Sequence, residues 1–210
     1  MDRVHSIVER AARTASGFKD LEKAAEEVLQ SEDLPRAKAL ASALLDTDSH
    51  QARCVATFVL GGLAAADTGA LAVLRDRVSG DGDWRVQEIL AKAFDRFCAD
   101  TGYDAALPVI REWLGSPCAN VRRAVTEGLR IWTGRPFFRD HPQTAIDLLA
   151  ALRNDQSDYV RRSVGNALRD ISKKHPDLIA REAARWDRTQ PGVRETWTLA
   201  TRLIDMSAEA

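Results

Sequence analysis

Residues 159–176 read YVRRSVGNALRDISKKHP, and two earlier stretches share their pattern: WRVQEILAKAF at 84–94 and NVRRAVTEGLR at 120–130. Aligning Val86, Val121 and Val160 brings Ala52 and Val193 into the same column, at spacings of 34, 35, 39 and 33 residues. A period of this length marks a solenoid of stacked helix pairs, each aligned segment being the second helix of its pair. Counted from the aligned valine, positions 0, +3, +4, +7 and +8 are apolar or small, as in Val160, Ser163, Val164, Ala167 and Leu168. That is the stripe of a 3.6-residue period, and it makes these segments helices.

Three acids stand on the other face: Glu88 at +2, Glu127 at +6 and Asp170 at +10. Offsets of four keep them near one face while stepping one turn along each successive helix. From Trp84 to His175 there are 15 Lys and Arg against 11 Asp and Glu, whereas residues 1–80 carry 10 against 12. The acids therefore sit in the more basic part of a chain whose net charge is -1. The expected fold is an all-α, right-handed HEAT-like helical-repeat solenoid (an α-α superhelix) with a basic concave face. It forms a single domain over 1–210, with the strongest repeats at 46–205.

Composition supports a folded helical protein, with 45% hydrophobic and 29% charged residues and few aromatics. No apolar run approaches a membrane span, and the charged N-terminus is unlike a signal peptide, so a cytoplasmic protein is expected. Cys54, Cys98 and Cys118 are scattered, with no CxxC pair, which argues against a zinc site or a disulfide framework. No metal and no cofactor are expected.

Along the chain, helices are expected at 3–15, 19–30, 35–45, 50–65 and 67–78, then from Trp84, over 104–114, from Val121, over 142–153, 159–174 and 176–186, and from Pro191 to about residue 206. Gly61 and Gly62 inside a helix point to close approach by a neighbour. The 39-residue spacing places extra residues in a loop between Ile131 and His141, which holds Phe137 and Phe138. Insertions in a repeat array collect on one face, often the binding face.

Trp84 with Glu88 four residues later, Glu127-Gly128, and the stretch from Tyr159 through Asn166 and Asp170 to Pro176 resemble the HEAT-like DNA alkylation repair glycosylases, AlkD and especially AlkC. The resemblance covers roughly 45–205. It implies a solenoid that holds double-stranded DNA containing alkylated purines in a basic channel. It further implies hydrolysis of the N-glycosidic bond of cationic N3- or N7-alkylated purines without base flipping. Glu88, Glu127 and Asp170 then match the catalytic acids. Trp84, Arg123, Arg130, Arg135, Arg161, Arg162 and Lys173 become candidates for lesion or DNA contact. Where AlkC-like sequences continue from Glu-Gly to a Pro-rich segment ending in Trp, this chain reads Leu129-Arg130-Ile131-Trp132, so Trp132, Phe137 and Phe138 are the candidate lesion-side aromatics.

The plainer readings stay beside these. The acids can form surface pairs with Lys92, Arg123, Arg130 or Arg162, and Arg122, Arg123, Arg161 and Arg162 can be a solvated face rather than phosphate contacts. Trp113, Trp186 and Trp197 fall on apolar stripes and are expected in the core. A non-catalytic HEAT scaffold that binds DNA or a protein partner is the alternative function. The chain is expected to act as a monomer, without a membrane.

Overall fold

The computed structural model describes residues 3–14 and 17–205, and among them thirteen α-helices and no strand. The chain divides into two compact units, Met1–Thr101 and Gly102–Ala210. No helix among the described residues is long and apolar enough to cross a membrane.

The first unit contains α1 (Arg3–Ala12), α2 (Lys19–Ser31), α3 (Leu34–Leu45), α4 (His50–Leu63), α5 (Thr68–Asp76) and α6 (Trp84–Thr101). Its helix starts follow local chemistry. Asp33, Ser49 and Asp67 accept from backbone N–H groups of Arg36, Ala52 and Gly69, which satisfies otherwise orphaned donors at the starts of α3, α4 and α5. α4 is the hub, packed against α2, α3, α5 and α6. Its glycines explain how: a Cβ at Gly61 would lie 2.7 Å from the Ala93 Cβ, and one at Gly62 would lie 2.5 Å from the Leu29 Cδ1. Both positions are helical glycines held by close approach, as the sequence leads one to expect.

The second unit contains α7 (Leu107–Leu114), α8 (Ala119–Gly128), α9 (Pro136–Asp140), α10 (Pro142–Ala150), α11 (Asp158–Ser172), α12 (Pro176–Ala184) and α13 (Pro191–Ala200). Here α11 is the hub, against α8, α10, α12 and α13. The buried Ser163 hydroxyl on α11 donates to the Thr126 Oγ1 on α8 at 2.6 Å, so the polar pair between these two helices is satisfied. Gly165 faces α13, and a Cβ there would lie 2.6 Å from the Leu199 Cβ and 3.2 Å from the Thr196 carbonyl. Replacing Gly165 by Ala adds helix propensity worth about 1 kcal/mol. It also overpacks a backbone-close contact at a cost of about 1–3 kcal/mol. The expected outcome is a net loss of stability, read as a lower urea midpoint at unchanged m-value.

The region from Ile131 to His141 departs from the expected loop. It contains a short 3-10 turn, Trp132–Gly134, followed directly by the five-residue α9. Burial of aromatic surface is the physical reason. Phe138 and Trp132 are completely buried, with ring centroids 4.9 Å apart at 61°, and Tyr103 and Phe137 meet Phe138 edge-on. The extra residues of the long spacing therefore build a piece of core.

A repeated side-chain device joins neighbouring repeats within each unit. At position +1 of the aligned helices, the Arg53 Nε donates to Asp81 at 2.6 Å, while its Nη1 donates to the carbonyls of Thr47 and Asp48 at 3.1 and 3.0 Å. Arg122 repeats this with Asp155 and the carbonyls of Ser116 and Pro117. Arg161 repeats it with Glu195 and the carbonyls of Asp155 and Gln156. On α6 the position belongs to Gln87, whose amide donates to the carbonyls of Val78 and Asp81 at 3.0 and 2.7 Å. Each side chain ties down the turn before its own helix. The three arginines also hold a carboxylate from the following repeat.

Candidate active site

In the second unit, Glu127 lies at the C-terminal end of α8 and Asp170 in the last turn of the adjacent α11. Arg130, just past the end of α8, stands between them. Its Nη1 is 3.7 Å from the Glu127 Oε2 and its Nε 3.5 Å from the Asp170 Oδ2. The Lys173 Nζ donates to the Asp170 Oδ1 at 2.7 Å, and the Arg169 Nη2 is 3.9 Å from the same oxygen. Two acids and three cations thus share one small region at the ends of two neighbouring helices.

Asp170 is only 9% exposed and sits at a helix C-terminus, where the helix dipole disfavours negative charge. Burial pushes its carboxyl pKa up. The Lys173 hydrogen bond, followed by the charges of Lys173, Arg169 and Arg130, outweighs that and leaves the pKa below the usual carboxylate value. A depressed folded-state pKa contributes stability that is present above the ordinary Asp value of about 3.9 and is lost as pH falls through the lower folded value. Replacing Lys173 by Met removes the largest lowering influence. The Asp170 titration, followed by carboxyl-carbon NMR, is then expected to move upward, and the acid-unfolding midpoint with it.

The other expected residues fall into distinct places. Trp84 and Glu88 stand one turn apart on α6 in the first unit; Trp84 is 65% exposed, and the Arg85 guanidinium lies 5.6 Å from its ring centroid. Glu88 and Arg123 are half-buried. Arg162 is exposed and faces Asp158 at 3.3 Å and Glu195 at 3.5 Å. Arg135 donates to the Gly128 carbonyl at 3.2 Å and so secures the end of α8. Phe137 is half-buried and meets His141 with centroids 4.7 Å apart.

Trp132 and Phe138, expected on the lesion side, are both fully buried, since their apolar area is worth more in the core than at a wet surface. Arg161, expected at the DNA, has its guanidinium engaged by Glu195 and two carbonyls in the arginine device described above.

Two residues of this unit were not singled out by the sequence pattern. Arg169 is one, and its position next to Asp170 was the available signal. Ile131 is the other. It has φ 58° and ψ 50°, in the left-handed region, and is 54% exposed. A β-branched residue in that region is a genuine outlier, costing about 1–3 kcal/mol.

A region of this kind pairs carboxylates with an excess of nearby positive charge. It is suited to drawing in a polyanion while presenting acids to a developing cation. The sequence model for DNA alkylation repair enzymes matches residues 16–183. The chain belongs to the DNA alkylation repair enzyme family. Among solved structures, this family member is similar to AlkD2 from Streptococcus mutans, with 46% identity and a TM-score of 0.94, covering 96% of this chain and 97% of that one. It is also similar to the alkylpurine DNA glycosylase AlkC from Pseudomonas fluorescens, bound to DNA containing an abasic site analogue. There the identity is 21% and the TM-score 0.66, over 95% of this chain and 61% of that one, a likeness of fold alone. The likeness to AlkD2 is much the greater, so the AlkC branch expected from the 159–176 stretch is not the specific one. An uncharacterized protein of Bacillus subtilis (strain 168), YhaZ, is 39% identical over 83 residues. That stretch covers 38% of this chain and 23% of the relative, so the match spans under a quarter of the relative's length. The fold of this family member is the all-α, HEAT-like helical-repeat class.

Proposed function

We propose that this DNA alkylation repair family member hydrolyses the N-glycosidic bond of cationic N3- or N7-alkylated purines in double-stranded DNA, as a single functional domain. The family match, which runs through both units, supports the single domain. The observation that carries the reading is the gathering of Glu127 and Asp170 around Arg130 on adjacent helices. An alkylated purine of this type already carries positive charge and leaves readily, so the enzyme's task is to stabilise the cationic sugar and orient water. A carboxylate about 4 Å from that charge, at an effective dielectric near 20, contributes roughly 4 kcal/mol, or about a thousandfold in rate.

The cations take a part of their own. Arg130 and Lys173 are exposed, long and flexible. DNA phosphates compete for them, and their transfer to phosphate leaves Asp170 to be balanced by the charge growing on the sugar. Trp84 and Glu88 on α6 supply a second DNA-facing pair in this reading, with the exposed indole covering sugar or backbone.

One observation favours a second reading, a DNA-binding scaffold without catalysis: the Asp170 carboxylate is held by three cations, which already neutralise it. The test is release of N3-methyladenine and N7-methylguanine from methylated duplex DNA by the wild-type chain. Release well above the spontaneous rate is expected. DNA binding with no release above that rate gives the scaffold instead.

A further inference from the structure

Ile131 combines two unfavourable features in one residue. Among the described residues it is the non-glycine residue at positive φ, and it also leaves a large alkyl side chain in solvent. Glycine or asparagine would hold the same backbone with less strain and without exposed apolar surface. The fold therefore gains nothing evident from isoleucine here. Its placement is nevertheless fixed on both sides. The preceding Arg130 N–H donates to the Glu127 carbonyl at 3.2 Å, and the following Trp132 is buried completely. The Ile131 carbonyl accepts from the Gly134 N–H at 2.7 Å, which closes the turn. A branched, half-exposed residue is thus held next in sequence to Arg130, whose guanidinium gathers Glu127 and Asp170.

We infer that Ile131 is a positioning residue: its side chain packs on the C–H face of a deoxyribose and sets that sugar's distance from the Glu127 and Asp170 carboxylates. The inference deepens the glycosylase reading and rests on it for the identity of the sugar. Deoxyribose offers an apolar face that a charged side chain cannot complement, and a branched alkyl group covers it while excluding water. Exclusion of water strengthens the attraction between the acids and a cationic sugar.

The test uses the full chain and two duplexes, one intact and one carrying a single cationic pyrrolidine abasic analogue in place of the sugar. The wild type is expected to prefer the analogue. Ile131→Gly and Ile131→Asn are expected to keep or raise the thermal midpoint, because left-handed strain is relieved. Their preference for the analogue is expected to fall about tenfold, with intact-duplex affinity held within about threefold, while Ile131→Val retains the wild-type preference. Excision, where the wild type shows it, falls in parallel with the preference. A wild type that prefers the analogue but releases no base, with the preference lost in the Gly and Asn variants, upholds the positioning role and overturns only the glycosylase reading. An unchanged preference in those variants, or no preference in the wild type, overturns the role of Ile131.

Discussion

Replacing Arg122 by alanine is expected to lower the unfolding free energy by about 3–5 kcal/mol, a large share of the 5–15 kcal/mol that usually separates native from unfolded states. The Arg122 side chain is 12% exposed and that of Asp155 5%, and the two meet through paired bonds of 2.7 and 2.6 Å. Removing the guanidinium leaves Asp155 buried without its charged partner, held by the Ser157 N–H at 2.9 Å. It also strips the carbonyls of Ser116 and Pro117 of theirs. Most of the loss comes from stranded partners rather than from the attraction itself, so Arg122→Ala with Asp155→Ala is expected to cost less than the sum of the single changes. Arg122→Gln is expected to fall between wild type and alanine, because Gln87 makes the carbonyl bonds from the same position on α6. Urea unfolding measures the wild type and all four variants. An Arg122→Ala loss below about 1 kcal/mol would show the pair to be no stronger than an ordinary surface bridge.

The largest effect on activity is expected from Asp170→Asn. The amide keeps the shape and still accepts from Lys173 but removes the charge. Under the glycosylase reading, excision of N3-methyladenine falls by about a thousandfold. DNA affinity stays equal or rises, since a charge that repels phosphate is gone. The stability cost is small, about 1 kcal/mol or less, because Arg130 and Lys173 are more than a third exposed and solvent screens their pairs. Glu127→Gln and Glu88→Gln, measured the same way, divide the role among the three acids. Unchanged excision in all three variants would end the catalytic assignment.

The helices were legible in the sequence because their signals are local: the apolar stripe, the caps at Asp33, Ser49 and Asp67, and the prolines that open α10, α12 and α13. The match of Glu127 to Asp170 was partly legible, since offsets counted from an aligned column say which turn a side chain occupies. Other features were not. Arg161 resembles a phosphate ligand in sequence because its partner, Glu195, is 34 residues away and no local pattern links the two. Trp132 and Phe138 stood in an apparent insertion, and only the tertiary packing shows that the insertion closes a core. Left-handed backbone at Ile131 runs against the preference of its residue type, so no propensity argument could locate it.

The arginine device also bears on how such a chain can be divided and recombined. Each arginine braces the turn before its own helix but draws its carboxylate from 28, 33 or 34 residues further on. A swap between related proteins that cuts at repeat boundaries would part every transplanted arginine from its acid. The smallest heritable module is therefore offset from the visible repeat: it runs from one bracing arginine through the acid that answers it, and neither of the two can change independently of the other.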